Sequence, residues 1–178
     1  MLITGLPAAG KTTLGAALAS RIENHFERKV SLLDGDEVRK LLSSELGYSR
    51  EHRRLNVLRH GYLASQVCRH GGIAICSLIA PYAADRAGMR RQVAGCGSFV
   101  EIYLSTPLAE CERRDPKGLY ARARAGRLQH MTGVDDPYEI PLTPDLELNG
   151  AELSVARLVG AVSVFLVKKG LLRDRRRS

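Results

Sequence analysis

The fold is decided by the stretch Gly5-Leu6-Pro7-Ala8-Ala9-Gly10-Lys11-Thr12, which matches the pattern G-x-x-x-x-G-K-[ST] in full. It follows the apolar Met1-Leu2-Ile3 and precedes an amphipathic run, so it stands where a strand should pass to a helix. Such glycines let consecutive backbone N–H groups point at phosphate oxygens, and the next helix directs its positive end there. The alternative, a glycine-rich turn with an unrelated lysine, does not explain this context. The sequence therefore predicts a P-loop that binds ATP or GTP.

Two side chains of the loop have predicted partners on the nucleotide. Lys11 is expected to reach the β- and γ-phosphates, and the Thr12 hydroxyl to ligate the Mg²⁺ that bridges them. Mg²⁺ is thus the predicted cofactor, with ATP as co-substrate. The residues expected to contact ATP along this loop are Gly5, Ala8, Ala9, Gly10, Lys11, Thr12 and Thr13.

Length and composition indicate a single globular domain. A chain of 178 residues suits one hydrophobic core. Hydrophobic residues make up 44% and charged residues 26%, which is ordinary for a soluble protein, so residues 1–178 are expected to form one kinase domain. No apolar stretch approaches the ~20 residues that cross a bilayer. The P-loop begins at once, which leaves no room for a signal peptide, and we expect a cytoplasmic protein without a membrane partner.

The net charge of +8 indicates an anionic partner, either nucleic acid or small nucleotides. Much of the arginine lies near the predicted site and from Arg113 to Arg127, and the cluster from Arg173 to Arg177 is most simply a solvated tail. Aromatic residues, at 5%, are too few for a base-stacking platform. Nucleotides are therefore favoured over nucleic acid. The four cysteines lack C-x-x-C spacing, which predicts neither a zinc site nor a disulfide framework.

Strand and helix patterns alternate along the chain. This alternation predicts an α/β P-loop NTPase fold with three layers, in which helices cover both faces of a parallel sheet. Ligands then gather at the carboxyl ends of the strands. After the opening strand and a helix to about His25, the predicted strands are 30–33, 73–79, 100–104 and 146–148, and the predicted helices are 37–46, 52–69, 107–114 and one around 155–166.

The interval 115–144 has a different character. It is charged, interrupted by proline and glycine, and shows little periodicity. In a phosphotransferase, such a segment is a candidate for a lid that closes over the substrate and expels water. We therefore predict a lid over about residues 115–144.

Further motifs resemble, in order and in spacing, those of the adenylyl-sulfate kinase family. The resemblance covers nearly the whole chain, from Gly5 to about Pro144. The motifs that carry it are Leu33-Asp34-Gly35-Asp36-Glu37-Val38-Arg39, Leu46-Gly47-Tyr48-Ser49 with Arg53 and Asn56, Ser77-Leu78-Ile79-Ala80-Pro81-Tyr82 with Asp85-Arg86, Thr106-Pro107-Leu108, Cys111-Glu112-Arg113-Arg114-Asp115-Pro116-Lys117-Gly118-Leu119-Tyr120, Ala123-Arg124, Thr132-Gly133-Val134, and Pro137-Tyr138-Glu139 with Pro141.

This resemblance implies a sulfate-activating kinase. The γ-phosphoryl group of MgATP would pass to the ribose 3′-hydroxyl of adenosine 5′-phosphosulfate (APS), giving 3′-phosphoadenosine 5′-phosphosulfate and ADP. With Lys11, Asp36 is expected to be catalytic, orienting the 3′-hydroxyl and accepting its proton. Asp34 is assigned to the water shell of the metal. The two aspartates also fit a plain capping turn, because Asp is favoured at a helix N-cap.

The resemblance also assigns an acceptor site. It puts Arg39, Arg53 and Asn56 on the phosphosulfate group, which suits the paired donors of a guanidinium. It puts Tyr48 against the adenine. The remaining acceptor contacts that it implies are Leu78, Ile79, Lys117 and Met131, and Arg114 resembles a nucleotide-contacting position. Taken alone, each arginine would more often be a solvated surface residue, and for Tyr48 an ordinary half-buried tyrosine would be an equal alternative. Arg122, Arg124 and Arg127 are further lid candidates, with a solvated basic loop as the alternative.

Three departures from the family pattern matter. Ala80 stands where relatives that form a phosphoserine carry serine, so direct in-line transfer is predicted. Met131 replaces a second aromatic ring, so the adenine would lie between Tyr48 and a thioether, a softer partner. The segment before Gly5 is short, which suggests a domain taken from an enzyme fused to, or associated with, an ATP sulfurylase.

Two other functions are weighed against this one. A kinase of the same fold would use another nucleotide-like acceptor, such as a modified cytidine diphosphate. A catalytically silent nucleotide-binding regulatory domain would have lost Lys11, Thr12, Asp34 or Asp36, and all four are present. The resemblance further implies a homodimer.

Overall fold

A parallel sheet forms the centre of the fold. The computed structural model describes residues 1–173. Within this range the strands are β1 (Leu2–Thr4), β2 (Val30–Asp34), β3 (Ile73–Ser77), β4 (Glu101–Leu104) and β5 (Leu146–Leu148). Their order is β2-β3-β1-β4-β5, and every neighbouring pair is parallel. The carboxyl ends of β1, β2 and β3 therefore meet at one edge, as the sequence predicts.

Helices cover both faces of this sheet, which confirms the predicted three layers. Successive strand residues point to opposite faces, and Leu2 and Ile3 accordingly belong to two different hydrophobic clusters. The cluster around Ile3 includes the buried faces of the first and last helices, which pack together, while the cluster around Leu2 includes the third and fourth. The helices are α1 (Lys11–Phe26), α2 (Gly35–Leu42), α3 (Arg50–Arg69), α4 (Ala83–Ala94), α5 (Leu108–Arg114), α6 (Leu119–Arg124) and α7 (Val155–Lys168).

Helix α2 and strand β3, which both lie beside the site, have boundaries that differ from the sequence prediction. Helix α2 begins two residues early because the Asp34 carboxylate caps it, accepting a hydrogen bond from the Asp36 amide at 3.0 Å, and it ends at Leu42 rather than at 46. Strand β3 ends at Ser77 rather than at 79. The chain then turns, and Ala80 takes a left-handed conformation with φ of 43°.

Helices α4 and α6 were not predicted. The inward face of α4 carries Asp85 and Arg86 beside Met89 and Val93, all buried, so apolar residues alone do not show the helical period. Helix α6 has only six residues and lies inside the predicted lid. Short elements of this kind give too few turns for a periodic signal.

Two sequence expectations concern the surface and the terminus. No helix between residues 1 and 173 combines the length and apolar character that a membrane span needs. In the basic cluster at the end of the chain, Arg173 is exposed. The other arginines of that cluster, Arg175, Arg176 and Arg177, lie outside the described residues.

Candidate active site

A cavity of about 560 Å³ opens at the carboxyl ends of β1, β2 and β3. The P-loop and the first residues of α1 form one wall, while α2, α3 and the turn after β3 form the other. The start of the lid segment, Asp115 to Tyr120, completes the lining. The predicted site residues that line this cavity are Ala8, Gly10, Lys11, Thr12, Thr13, Asp34, Asp36, Arg39, Tyr48, Arg53, Asn56, Leu78, Ile79, Arg114 and Lys117.

Two predicted site residues of the P-loop, Gly5 and Ala9, do not line the cavity. Gly5 is buried against β4, where a Cβ atom would lie 2.7 Å from the Leu104 carbonyl oxygen, so only glycine fits. Ala9 is 1% exposed, and its carbonyl oxygen accepts a hydrogen bond from the Thr106 hydroxyl at 3.0 Å. These two positions shape the loop through the backbone.

Met131, which the family resemblance gave as an acceptor contact, does not line the cavity. The side chain is 5% exposed and belongs to the hydrophobic cluster around Ile3, and it is not part of the cavity lining. The reason is a tight turn: the Asp135 carboxylate accepts hydrogen bonds from the Met131 amide at 2.5 Å and from the His130 amide at 2.6 Å. The turn holds the thioether in the core.

Lys11 is buried inside the P-loop that it serves. Its Nζ donates a hydrogen bond to the Leu6 carbonyl oxygen at 2.7 Å, and the side chain is 8% exposed. Burial lowers the pKa of Lys11 to about 8, against a smaller opposing effect of nearby Asp36 and Asp34. An ammonium group held in this way has little solvation to lose when phosphate oxygens replace the carbonyl.

The P-loop is braced from several sides. The Tyr120 hydroxyl donates to the Pro7 carbonyl oxygen at 3.1 Å, and the Ser77 hydroxyl donates to the Lys11 carbonyl oxygen at 3.3 Å. Arg114 donates to the Gly150 carbonyl oxygen at 2.7 Å and to Glu110 at 2.8 Å, beside Gly10. The backbone amides are therefore organised before any nucleotide arrives.

Asp34 fits both roles predicted for it, the helix cap and the metal-site residue. One carboxylate oxygen caps α2, and the other accepts a hydrogen bond from the Thr12 hydroxyl at 2.7 Å. A hydroxyl and a carboxylate side by side are the hard oxygen donors that Mg²⁺ prefers, and Mg²⁺ at kinase sites takes one or two such groups with waters and phosphates. Thr12 and Asp34 therefore fit the predicted metal position.

Asp36 stands two residues further on and is exposed at the cavity. Its carboxylate forms an ion pair with the Lys117 ammonium group, which reaches across from the lid segment. The structure thus brings together the predicted base and a cation of the predicted lid segment. Both side chains are more than half exposed, which makes the pair easy to open.

Two guanidinium groups lie close to the Tyr48 ring. The Arg39 and Arg53 guanidinium carbons are 4.8 and 5.6 Å from the ring centroid. Tyr48 is 54% exposed, so part of its surface is available to a ligand. Arg39 is held in place by hydrogen bonds to the Leu46 and Gly47 carbonyl oxygens at 2.9 and 3.0 Å.

Arg53 is not a solvated surface arginine. It is 7% exposed and donates to the Tyr48 carbonyl oxygen at 2.9 Å and to the His130 carbonyl oxygen, with Asp136 at 3.6 Å. Burial lowers the pKa of Arg53, and Asp136 opposes that effect. Asn56, one turn along α3, is 8% exposed, and its side-chain oxygen has no hydrogen-bond partner. A buried polar atom without a partner at a cavity wall is suited to a ligand.

The three arginines of the predicted lid segment are solvated. Arg122, Arg124 and Arg127 are exposed and do not line the cavity, and Arg124 pairs with Glu112 at 2.5 Å. The basic-loop interpretation therefore holds for them in this structure. Sequence reasoning assigned no role to Asp115, which lines the cavity and accepts hydrogen bonds from the Leu119 and Ala121 amides at 2.8 and 3.0 Å. An aspartate just before a short helix was the available signal.

Comparison with known proteins identifies the family. The family model described as adenylylsulphate kinase matches residues 1–149. The chain belongs to the adenylyl-sulfate kinase family. This assignment also agrees with the structural neighbours, which include an APS kinase.

Three similar proteins illustrate the adenylyl-sulfate kinase relationship. An adenylyl-sulfate kinase of Synechococcus sp. (strain JA-3-3Ab) is 45% identical over 170 residues, which cover 96% of this chain and 94% of that protein. A sulfate adenylyltransferase of Neurospora crassa is 41% identical over 97% of this chain, which spans only 30% of that longer protein. The Mycobacterium tuberculosis APS kinase CysC, in complex with AMPPNP and APS, is 38% identical with a TM-score of 0.88, covering 93% of this chain and 95% of that one.

Proposed function

We propose that this member of the adenylyl-sulfate kinase family phosphorylates the 3′-hydroxyl of APS with MgATP. One observation carries the proposal: a single cavity joins the P-loop Lys11 to the Asp36 carboxylate and to the Arg39, Tyr48 and Arg53 cluster. A nucleotide donor and a nucleotide acceptor both need such groups, and here they face each other. The APS kinase complexed with AMPPNP and APS, at 38% identity, supports the same pair of ligands.

On the donor side, the P-loop holds the triphosphate. Backbone amides from Ala8 to Thr13 surround the phosphates, and Lys11 leaves the Leu6 carbonyl oxygen to contact the β- and γ-phosphates. Thr12 and Asp34 would hold Mg²⁺, which supplies positive charge to the phosphate oxygens when it is bound. Arg114 lies beside Gly10 and lines the nucleotide side of the cavity.

On the acceptor side, Tyr48 offers its exposed face to the adenine, and Arg39, Arg53 and Asn56 bind the phosphosulfate group. The 3′-oxygen then attacks the γ-phosphorus. A new O–P bond forms, the bond to the β,γ-bridging oxygen breaks, and its electron pair leaves with ADP. Asp36 orients the hydroxyl and takes its proton.

Lys117 has two possible partners during this cycle. In the structure it pairs with Asp36, which would keep that carboxylate from the hydroxyl proton. The transferring phosphate is a more highly charged partner at the same place. Movement of Lys117 from Asp36 to the phosphate would free the base when both substrates are present.

No side chain is available for a phosphoserine step at the usual position. Ala80 is 3% exposed and carries only a methyl group at the cavity wall. Transfer is therefore proposed to be direct and in line, which needs alignment and charge neutralisation rather than covalent chemistry.

The test is ADP release, measured by a coupled assay with MgATP and a panel of acceptors. APS should stimulate ADP release strongly, whereas a modified cytidine diphosphate and simple sugars should not. Equal stimulation by another nucleotide-like acceptor would reject the assignment of APS. No stimulation by any acceptor would favour a regulatory nucleotide-binding domain.

Three finer expectations remain proposals. The homodimer is supported only by resemblance and is tested by sedimentation equilibrium. Fusion to, or association with, an ATP sulfurylase is supported by the Neurospora crassa sulfate adenylyltransferase, since this chain corresponds to 30% of its length. A cytoplasmic location follows from the proposed chemistry, which consumes ATP.

A further inference from the structure

The turn after β3 is held by a buried arginine that the proposed chemistry does not use. Arg86, on α4, is 3% exposed. Its guanidinium donates to the Ala80 carbonyl oxygen at 2.8 Å, to the Glu139 carbonyl oxygen at 2.8 Å and to the Glu101 carboxylate at 2.9 Å. One side chain thus joins the cavity wall, the end of the lid segment and strand β4.

A second polar contact runs parallel to this one. The Tyr138 and Thr4 hydroxyl oxygens lie 2.9 Å apart, and the Thr4 hydroxyl donates to the Ile79 carbonyl oxygen at 2.5 Å. The Glu139 amide donates to the Pro81 carbonyl oxygen at 2.8 Å. The carbonyl oxygens of residues 79, 80 and 81 are therefore each bound by a different partner. All three links lead to the segment 137–139, either directly or through Thr4 or Arg86.

The conformation of this turn needs such support. Ala80 has a φ of 43°, and residues with a Cβ atom disfavour the left-handed region. Strained residues persist where their surroundings over-determine them, and they are common at ligand sites. Here the strained residue lies between Ile79 and Pro81, which line the same cavity as Tyr48 and Arg53.

The P-loop is braced by other groups. Tyr120, Thr106 and Ser77 bind the carbonyl oxygens of Pro7, Ala9 and Lys11, and none of these contacts passes through Arg86 or Tyr138. Loss of the Arg86 contacts should therefore disturb the 78–81 turn, which we call the acceptor wall, while the P-loop stays in place.

We propose that Arg86 and Tyr138 are positioning residues for the acceptor, which hold the 78–81 turn and fasten the returning end of the lid to it. This inference rests on the proposed function, because it takes the acceptor to lie against that turn. It also links two parts of the site, because the same two side chains hold the 78–81 turn and the position where the predicted lid segment ends against it.

The test compares Michaelis constants for both substrates in two variants with matched controls. Tyr138→Phe removes one hydroxyl and keeps the ring, which stacks on Tyr103 with centroids 6.0 Å apart. Its control is Tyr103→Phe, which removes the hydroxyl of the stacked neighbour. Tyr138→Phe should raise the KM for APS about 3- to 10-fold, the usual effect of one lost hydrogen bond, and leave the KM for ATP unchanged.

The second variant is Arg86→Lys, which cannot keep all three contacts. Its control is Arg90→Lys, one turn along α4, because Arg90 also reaches Glu101 but contacts Asp145 instead of the turn. Arg86→Lys should raise the KM for APS more than Tyr138→Phe does, with the ATP value again unchanged. Should Arg86→Lys fail to fold, Tyr138→Phe still decides.

The possible results separate the two proposals. A purely structural role would lower the melting temperature and the active fraction, and thus kcat, with both Michaelis constants unchanged, and that result would overturn the inference. Equal rises in both KM values would overturn it as well. A wild-type protein that APS does not stimulate would instead overturn the proposed function, and this inference with it.

Discussion

Replacement of Asp36 by asparagine tests the chemistry most directly. The variant keeps the shape of the side chain and the Asp36 amide, which donates the capping hydrogen bond to Asp34. It removes the negative charge and with it the ion pair to Lys117. The structure thus allows the catalytic role to be changed with little effect on the fold.

The expected effects on stability and on rate differ greatly. The Asp36 and Lys117 side chains are 63% and 57% exposed, and exposed ion pairs contribute about 0–1 kcal/mol to stability. A positioned general base contributes about 10²- to 10⁴-fold to the rate. We therefore expect kcat to fall about 10²- to 10⁴-fold while the free energy of unfolding changes by less than about 1 kcal/mol.

The assay is coupled ADP release with MgATP at saturating APS, with thermal unfolding of the same samples. The matched control is Glu37→Gln, which neutralises the neighbouring exposed carboxylate of α2 and should behave as wild type. Asp36→Asn activity within about threefold of wild type, with a normal melting curve, would refute the assignment of Asp36 as the base.

Three further predictions follow from the site. Because burial lowers the pKa of Lys11 to about 8, the cation that binds phosphate is lost as pH rises through that value; kcat/KM for ATP should fall above about pH 8, and a flat profile to higher pH would contradict this. Arg53→Lys should raise the KM for APS about 10- to 100-fold because the buried fork loses charged hydrogen bonds, whereas Arg54→Lys, at an exposed pair with Glu51, should have no effect. After incubation with γ-labelled ATP alone, no label should remain on the protein, because Ala80 has no hydroxyl; a stable phosphoprotein would rule out direct transfer.

The fold class and most of the cavity lining were predictable from local patterns. The P-loop motif, the apolar strands and the Asp34-Gly35-Asp36 turn each act over a few residues, so the sequence alone indicates them. Fifteen of the eighteen predicted site residues line the cavity; Gly5, Ala9 and Met131 do not. The boundaries of α2 and β3 were misplaced because a capping carboxylate and a left-handed alanine override the apolar pattern.

Other features depended on contacts between distant parts of the chain. Helix α4 escaped prediction since its buried face is partly polar, and Arg86 on that face finds its partners only in the folded protein. Met131 became a core residue because the Asp135 turn directs it inward. Arg53 is buried because it contacts His130 and Asp136, which lie 77 or more positions away in the sequence. The residues next to Arg53 in the sequence could not show this burial.

The sequence by itself determined that this chain would form a P-loop, a parallel sheet and a pair of aspartates at a strand end. Those features arise from backbone geometry and from apolar periods within single elements. Only the tertiary structure decided that Arg86 binds Ala80 and Glu139, and that Thr4 meets Tyr138 across 134 positions. Such partners are chosen by packing, which brings together groups whose local sequences carry no information about each other.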